Sequence, residues 1–139
     1  MYVVEQVAKP AHTHDWTYTV PGQRLLRVFA VHAVLTLDSS DAFDITLTIG
    51  DGTHSYPWDH QFYFFPAGGV ANQFTYCDAN SIAWGTTFDV LNAHFRWFAP
   101  VVLPPGYTIT ATTIGASVGY QWNPVTVFAD DLNLGAQGA

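Results

Sequence analysis

The stretch AHTHDW at residues 11–16 holds residue types that ligate metals. His12 and His14 are spaced i, i+2, so on a strand both imidazoles point to one face and reach one ion. Asp15 adds a carboxylate. A zinc site takes three or four protein ligands, so His54 or His60 would have to complete it. Nothing in the spacing ties those two histidines to the first pair. The expectation is therefore no metal and a polar lead-in to a strand. Other chemistry is thinner. Asp130 and Asp131, and Asp38 with Asp41, fall in expected loops, whereas a glycosidase needs two carboxyls opposed across a cleft. Glu5 is the one Glu in the chain. The sequence contains no Gly-x-Ser-x-Gly elbow, phosphate-binding loop or Cys–His pairing. Cys77 reads as a small buried hydrophobe. The expectation is a protein without catalysis and without a cofactor.

The His-x-His pair invites comparison with the cupins, whose metal site also sits in a small β-barrel. A cupin site needs a Glu three or four residues beyond the second His, where Thr17 and Tyr18 stand here. It needs a further His after a later Pro-x-Gly, but Pro66-Ala67-Gly68 runs on into Val70, Ala71 and Asn72. The comparison fails at three liganding positions.

The densest aromatic stretch is HSYPWDHQFYFF, residues 54–65. Exposed aromatics stack on sugars or anchor a protein partner. The expectation here is Phe62 and Phe64 inward, with Tyr56, Trp58 and Tyr63 near an edge or interface. Tyr56, Trp58 and Trp97 are the residues a carbohydrate-binding module would use, which is the alternative reading of function.

Charged residues make up 11% of the 139 positions, against roughly 25% in an ordinary soluble domain. So few charges suit a surface of uncharged polar groups partly covered by partners. The net charge is −7 and the four Lys and Arg are scattered. That disfavours nucleic acid, which needs clustered cations, and anionic membrane surfaces. One Cys allows no internal disulfide. The start MYVVEQVAKP has no basic and apolar pattern of a signal peptide, and no apolar run of about 18 residues is present. The expectation is folding in a cytoplasm.

Thr, Val, Phe and Tyr dominate while Lys and Glu are scarce, which is strand composition. Turn residues punctuate the chain at Pro21-Gly22, Gly50-Asp51-Gly52, Pro104-Pro105-Gly106 and Asn123-Pro124, among others. The expectation is one all-β domain, a sandwich of eight or more antiparallel strands. Strands are expected over 2–7, 15–20, 24–37, 43–49, 54–65, 72–76, 82–90, 93–98, 107–114 and 124–128. Segment 24–37 is apolar on both faces and reads as a central strand. In 43–49, Phe43, Ile45, Leu47 and Ile49 alternate inward. In 15–20, Trp16, Tyr18 and Val20 share a face. Residues 1–14 and 130–139 read as short arms.

Three segments carry a resemblance. TYTVPGQRLLRVFAVHAVLTLDSSDAFDITLTIGDG has a Val-Pro-Gly turn, a long apolar strand and a second strand closed by Gly-Asp-Gly. FAPVVLPPGYTITATTIG has a Leu-Pro-Pro-Gly turn before a Thr-rich strand, and VGYQWNPVTVFADDL ends with Gln-Trp and a closing strand. In this order they resemble small tailed-bacteriophage virion proteins over roughly residues 16 to 131. Tyr120 stands where that group usually has Asp. The resemblance implies a jelly-roll-like β-sandwich subunit of the virion, a head decoration or cement protein, or a fibre or tail part. It implies assembly in the host cytoplasm, contact with the major capsid protein or other virion proteins, and a homo-oligomer, a trimer above all. Tyr2, Val3 and Val4 would then add a strand to a neighbouring sheet. Tyr56, Trp58, Tyr63, Leu132 and Leu134 would complete the partner interface.

Overall fold

The computed structural model describes residues 2–77 and 93–132. They form a β-sandwich of eleven strands, with no helix among the described residues. The strands are β1 (Tyr2–Val7), β2 (Thr17–Thr19), β3 (Leu26–Leu37), β4 (Asp41–Gly50), β5 (Ser55–Phe65), β6 (Ala71–Cys77), β7 (Ala93–Trp97), β8 (Val101–Leu103), β9 (Thr108–Ile114), β10 (Tyr120–Trp122) and β11 (Val125–Asp131). One sheet runs β1-β11-β3-β6-β7, with β8 and β10 also on β3; the other runs β2-β9-β4-β5. The pairings are antiparallel except β6 with β7, which is parallel. The expected strand over 82–90 lies outside the described residues.

The long apolar run is the central strand it reads as. β3 pairs with β11, β6, β8 and β10. Leu26, Val28, Val31, Ala33, Leu35 and Leu37 are buried. The inward alternation slips by one residue where the β3–β11 register shifts, between Phe128 and Ala129. A bulge of this kind explains why the run shows no simple two-residue period. On the opposite sheet Phe43, Ile45 and Leu47 are buried from β4, and Trp16, Tyr18 and Val20 from the β2 segment. These sets meet in one core, pinned by the edge-to-face pair Trp16–Trp122 at 6.3 Å.

Two turns from the segments that carry the resemblance meet in space. Tyr107 N–H donates to Pro104 at 3.2 Å around Gly106, whose φ of 83° needs a residue without a Cβ. Gly106 N–H donates to Val20 at 3.0 Å, and Val20 N–H donates to Tyr107 at 2.9 Å. The Val20-Pro21-Gly22 turn and the Pro104-Pro105-Gly106 turn therefore close one corner together.

The expected strand over 2–7 is present and lies on the chain's own sheet, while most of the expected C-terminal arm, residues 133–139, lies outside the described residues. β1 is laddered onto β11 from Tyr2 opposite Asp130 to Val7 opposite Val125. Val3 and Val7 pack against the core, so the strand gains both burial and backbone partners by staying on its own sheet. Arg24 holds this edge, 3.5 Å from Glu5 and 3.7 Å from Asp131. Asp130 and Asp131 are strand residues, and Leu132 N–H continues the ladder to Leu25 at 2.7 Å.

Candidate interaction surface

AHTHDW is a turn and not a strand. His14 N–H donates to Ala11 at 3.0 Å, and Thr13 has a φ of 63°. A β-branched residue is rarely found there, and the turn separates side chains that a strand would align. His12 Nε2 lies 3.1 Å from an Asp38 oxygen, while His14 Nδ1 donates to the His12 carbonyl at 3.0 Å. This contact rests directly over Gly119, where a Cβ would collide with the His12 ring and the Asp38 carboxylate. Asp15 points away from both histidines. It accepts from Thr113 N–H at 3.0 Å and from Trp122 Nε1 at 3.1 Å, and so bonds β9 to β10 across the two sheets. No group of three or more His, Cys, Asp or Glu that would hold a metal occurs among the described residues.

The aromatic stretch has the opposite phase to the one expected. Tyr63 and Phe65 are buried, Tyr63 at 8% exposure, while Phe62 at 58% and Phe64 at 68% face solvent. The cause is the β4–β5 register. Asp44 pairs with Phe62 and Phe43 with Tyr63, so β5 inherits its inward set from β4. The register shifts beside Trp58, at Leu47/Thr48, so the residues after the shift have the opposite phase to those before it. Tyr63 is therefore a core residue, packed edge-on against Phe74 and His94, each at 5.1 Å. Trp58 is partly buried against the core, with the Phe98 ring centred 4.1 Å from its own in an edge-type contact. Tyr56 is exposed as expected.

The expected interface residues are not brought together. Tyr2 and Val4 are exposed on β1, Val3 is packed inward, and Tyr56 lies on a strand of the other sheet. Leu132 is partly buried beside Leu25. Leu134 and the side chain of Trp97 lie outside the described residues.

The surface that does assemble is the outer face of β2, β4, β5 and β9. Phe62, Asp44 and Ile114 form one row across it, with Ile114 also exposed. The next rows are His60, Thr46 and Thr112, then Thr48, Thr110 and Thr17. Thr17 and Thr110 share a hydroxyl–hydroxyl bond of 3.1 Å. The carboxylate in this array, Asp44, sits 3.5 Å from His60 Nε2. The face can stack, hydrogen-bond through hydroxyls and exclude water at its phenyl end. Phe64, next to Ala42, extends that apolar end to the sheet edge. Sequence reading misses it because FYFF is equally apolar in either phase.

Below this face, β5 is sewn to β7 of the opposite sheet. Arg96 donates to Asp59 through Nε at 3.1 Å and Nη2 at 2.8 Å, a bidentate pair. His94 stacks on Phe74 at 4.8 Å, and its Nε2 is buried without a partner. Burial holds the His94 imidazole below its usual value near 6.5. His32 is lowered too, by burial, against an opposing bond from Gln73. Both rings then fold neutral. As pH falls through the unfolded value, the unfolded chain takes up protons that the folded chain refuses, and stability drops. The urea midpoint is expected to fall between pH 7 and pH 5, with a smaller drop in a His94→Phe variant. Equal slopes in the two proteins would remove His94 from that account.

No family model, no curated protein and no solved structure matches this chain.

Proposed function

We propose that the chain is a non-enzymatic structural subunit of a tailed-phage virion, a head decoration or cement protein that assembles in the host cytoplasm. It stabilises the particle through oligomeric contacts with itself and with capsid subunits. The observation that carries the reading is the outer face of β2, β4, β5 and β9. It presents Phe62, Phe64 and Ile114 beside a threonine array, with one carboxylate already near a histidine. Exposed apolar surface next to neutral polar groups suits a protein contact better than a catalytic cleft. The low charge of the whole chain fits the same use. The resemblance supports the virion setting, and the joined Val20-Pro21-Gly22 and Pro104-Pro105-Gly106 turns place two of its segments in one structural unit.

The test is peptide mass spectrometry of density-gradient-purified particles of the encoding phage. Copies are expected in stoichiometric proportion to the major capsid protein. Particles lacking the protein are expected to release their DNA at a lower temperature. Absence of the chain from purified particles would overturn the reading.

A further inference from the structure

We propose that β5 is a two-fold homodimer interface, in which residues 61–65 of one copy pair antiparallel with the same residues of a second copy. The argument begins with backbone accounting. β5 ends its sheet, so among the described residues no strand lies on its outer side. An edge of this length is a template for another strand unless the chain blunts it.

The first half of β5 is blunted. Pro57 lacks an N–H, the register shifts at Trp58, and Asp59 is an inward-pointing charge tied to Arg96. The second half, HQFYFF, carries no proline and no carboxylate, and its pairing with β4 is regular from Asp59 to Phe65. The edge at the other end of this sheet, β2, is three residues long. In this sheet, edge protection is thus reduced on the second half of β5 to one side-chain bond, from Gln61 Nε2 to the Phe62 carbonyl at 3.2 Å, which leaves that oxygen room for a second donor.

The occupant follows from charge and symmetry. A chain of net charge −7 repels its own copy over most of its surface. Residues 61–65 offer a contact without a carboxylate on the strand itself, and Asp44 behind it lies beside His60. The segment is also self-complementary. With Tyr63 on the two-fold axis, Phe62 of each copy stands opposite Phe64 of the other on the outer face. Directly opposite aromatic residues favour each other in antiparallel pairs. The joined sheet would continue from β4 and β5 through β5 and β4 of the second copy, and both phenyl ends would merge into one apolar strip. Such a contact is isologous and closes at two, unlike the threefold cluster implied by the resemblance.

The inference rests on the oligomeric part of the proposed function and not on its virion setting. A chain missing from particles sinks the setting and leaves the dimer standing. Light scattering on the full chain at micromolar concentration is expected to give twice the 15.3 kDa subunit mass. The double substitution Phe62→Lys with Phe64→Lys sets like charges opposite each other and is expected to weaken the dimer about 100-fold or more. Both positions are exposed, so the circular dichroism spectrum should not change. Thr112→Lys, on the same face but away from the edge, is expected to leave the dimer intact. On the wild-type chain, amides within residues 61–65 are expected to exchange faster on dilution. A monomeric wild type, a trimer indifferent to the lysines, or a dimer broken equally by Thr112→Lys overturns the proposal. The last result would mean that faces stack and edges do not pair.

Discussion

Trp122→Ala is expected to lower unfolding free energy by about 3–5 kcal/mol, the usual cost of emptying a large aromatic site in a core. Native domains hold about 5–15 kcal/mol in all, so this one change removes a large share. Trp122 is fully buried on β10, opposite Leu35 of the central strand. Its ring meets Trp16 edge-to-face at 6.3 Å and Phe74 at 6.0 Å. Trp16 comes from the segment leading into β2, on the other sheet, so the pair spans the sandwich. Edge-to-face geometry adds to the area term. The cavity cannot close easily, because its walls are strands fixed by their ladders. The variant also leaves Asp15 without one of its donors. The urea midpoint and the near-ultraviolet dichroism should both fall. A loss below about 1 kcal/mol would mean that the two sheets are held chiefly elsewhere.

The parts of this fold that show in the sequence are those whose pattern depends on one strand alone. β4 alternates without interruption, so Phe43, Ile45 and Leu47 declare their face before any partner is known. β3 is apolar except at Arg27, His32 and Thr36, which suits a strand that pairs with four neighbours. The turn at Asp51 is legible because its carboxylate caps Thr53 and His54 N–H groups at 2.8 and 2.7 Å, an ordinary Asp-Gly use. β5 is illegible for a physical reason. Its inward set is fixed by the register against β4, and one extra residue beside Trp58 reverses the phase of everything after it. Phe62 and Phe64 therefore exchange roles with Tyr63, and the candidate surface moves with them. The N-terminal strand over 2–7 is legible but its partner is not, because composition cannot show that Tyr2–Val7 lies on Val125–Asp131 of its own sheet and not on a neighbour's.

Asp15→Ala is expected to cost about 2–4 kcal/mol, since hydrogen bonds to a charged acceptor contribute about 1.5–3 kcal/mol and orphaned buried donors add a penalty. Asp15 serves donors from two sheets: Thr113 N–H and Oγ1–H on β9, and Trp122 Nε1–H on β10. Thr113 Oγ1 is also 2.6 Å from the Tyr120 hydroxyl, so a four-residue network hangs on one carboxylate. Its loss strands the Trp122 donor inside the core. Asp15→Asn is a sharper probe, because the amide keeps one acceptor oxygen but turns its NH2 toward either Thr113 N–H or Trp122 Nε1–H, neither of which can accept. It is expected to destabilise nearly as much. A double-mutant cycle with Trp122→Phe, which keeps a ring and removes the Nε1 donor, should show coupling of about 0.5–3 kcal/mol. His12→Ala works as the contrast. Its bond to Asp38 joins two exposed side chains, so a change within about 0.5 kcal/mol is expected. A metal site would behave otherwise: His12, His14 and Asp15 variants would lose a shared zinc-dependent rise in melting temperature. Such a rise in the wild type, abolished by all three substitutions, would return AHTHDW to metal chemistry and end the structural account of Asp15.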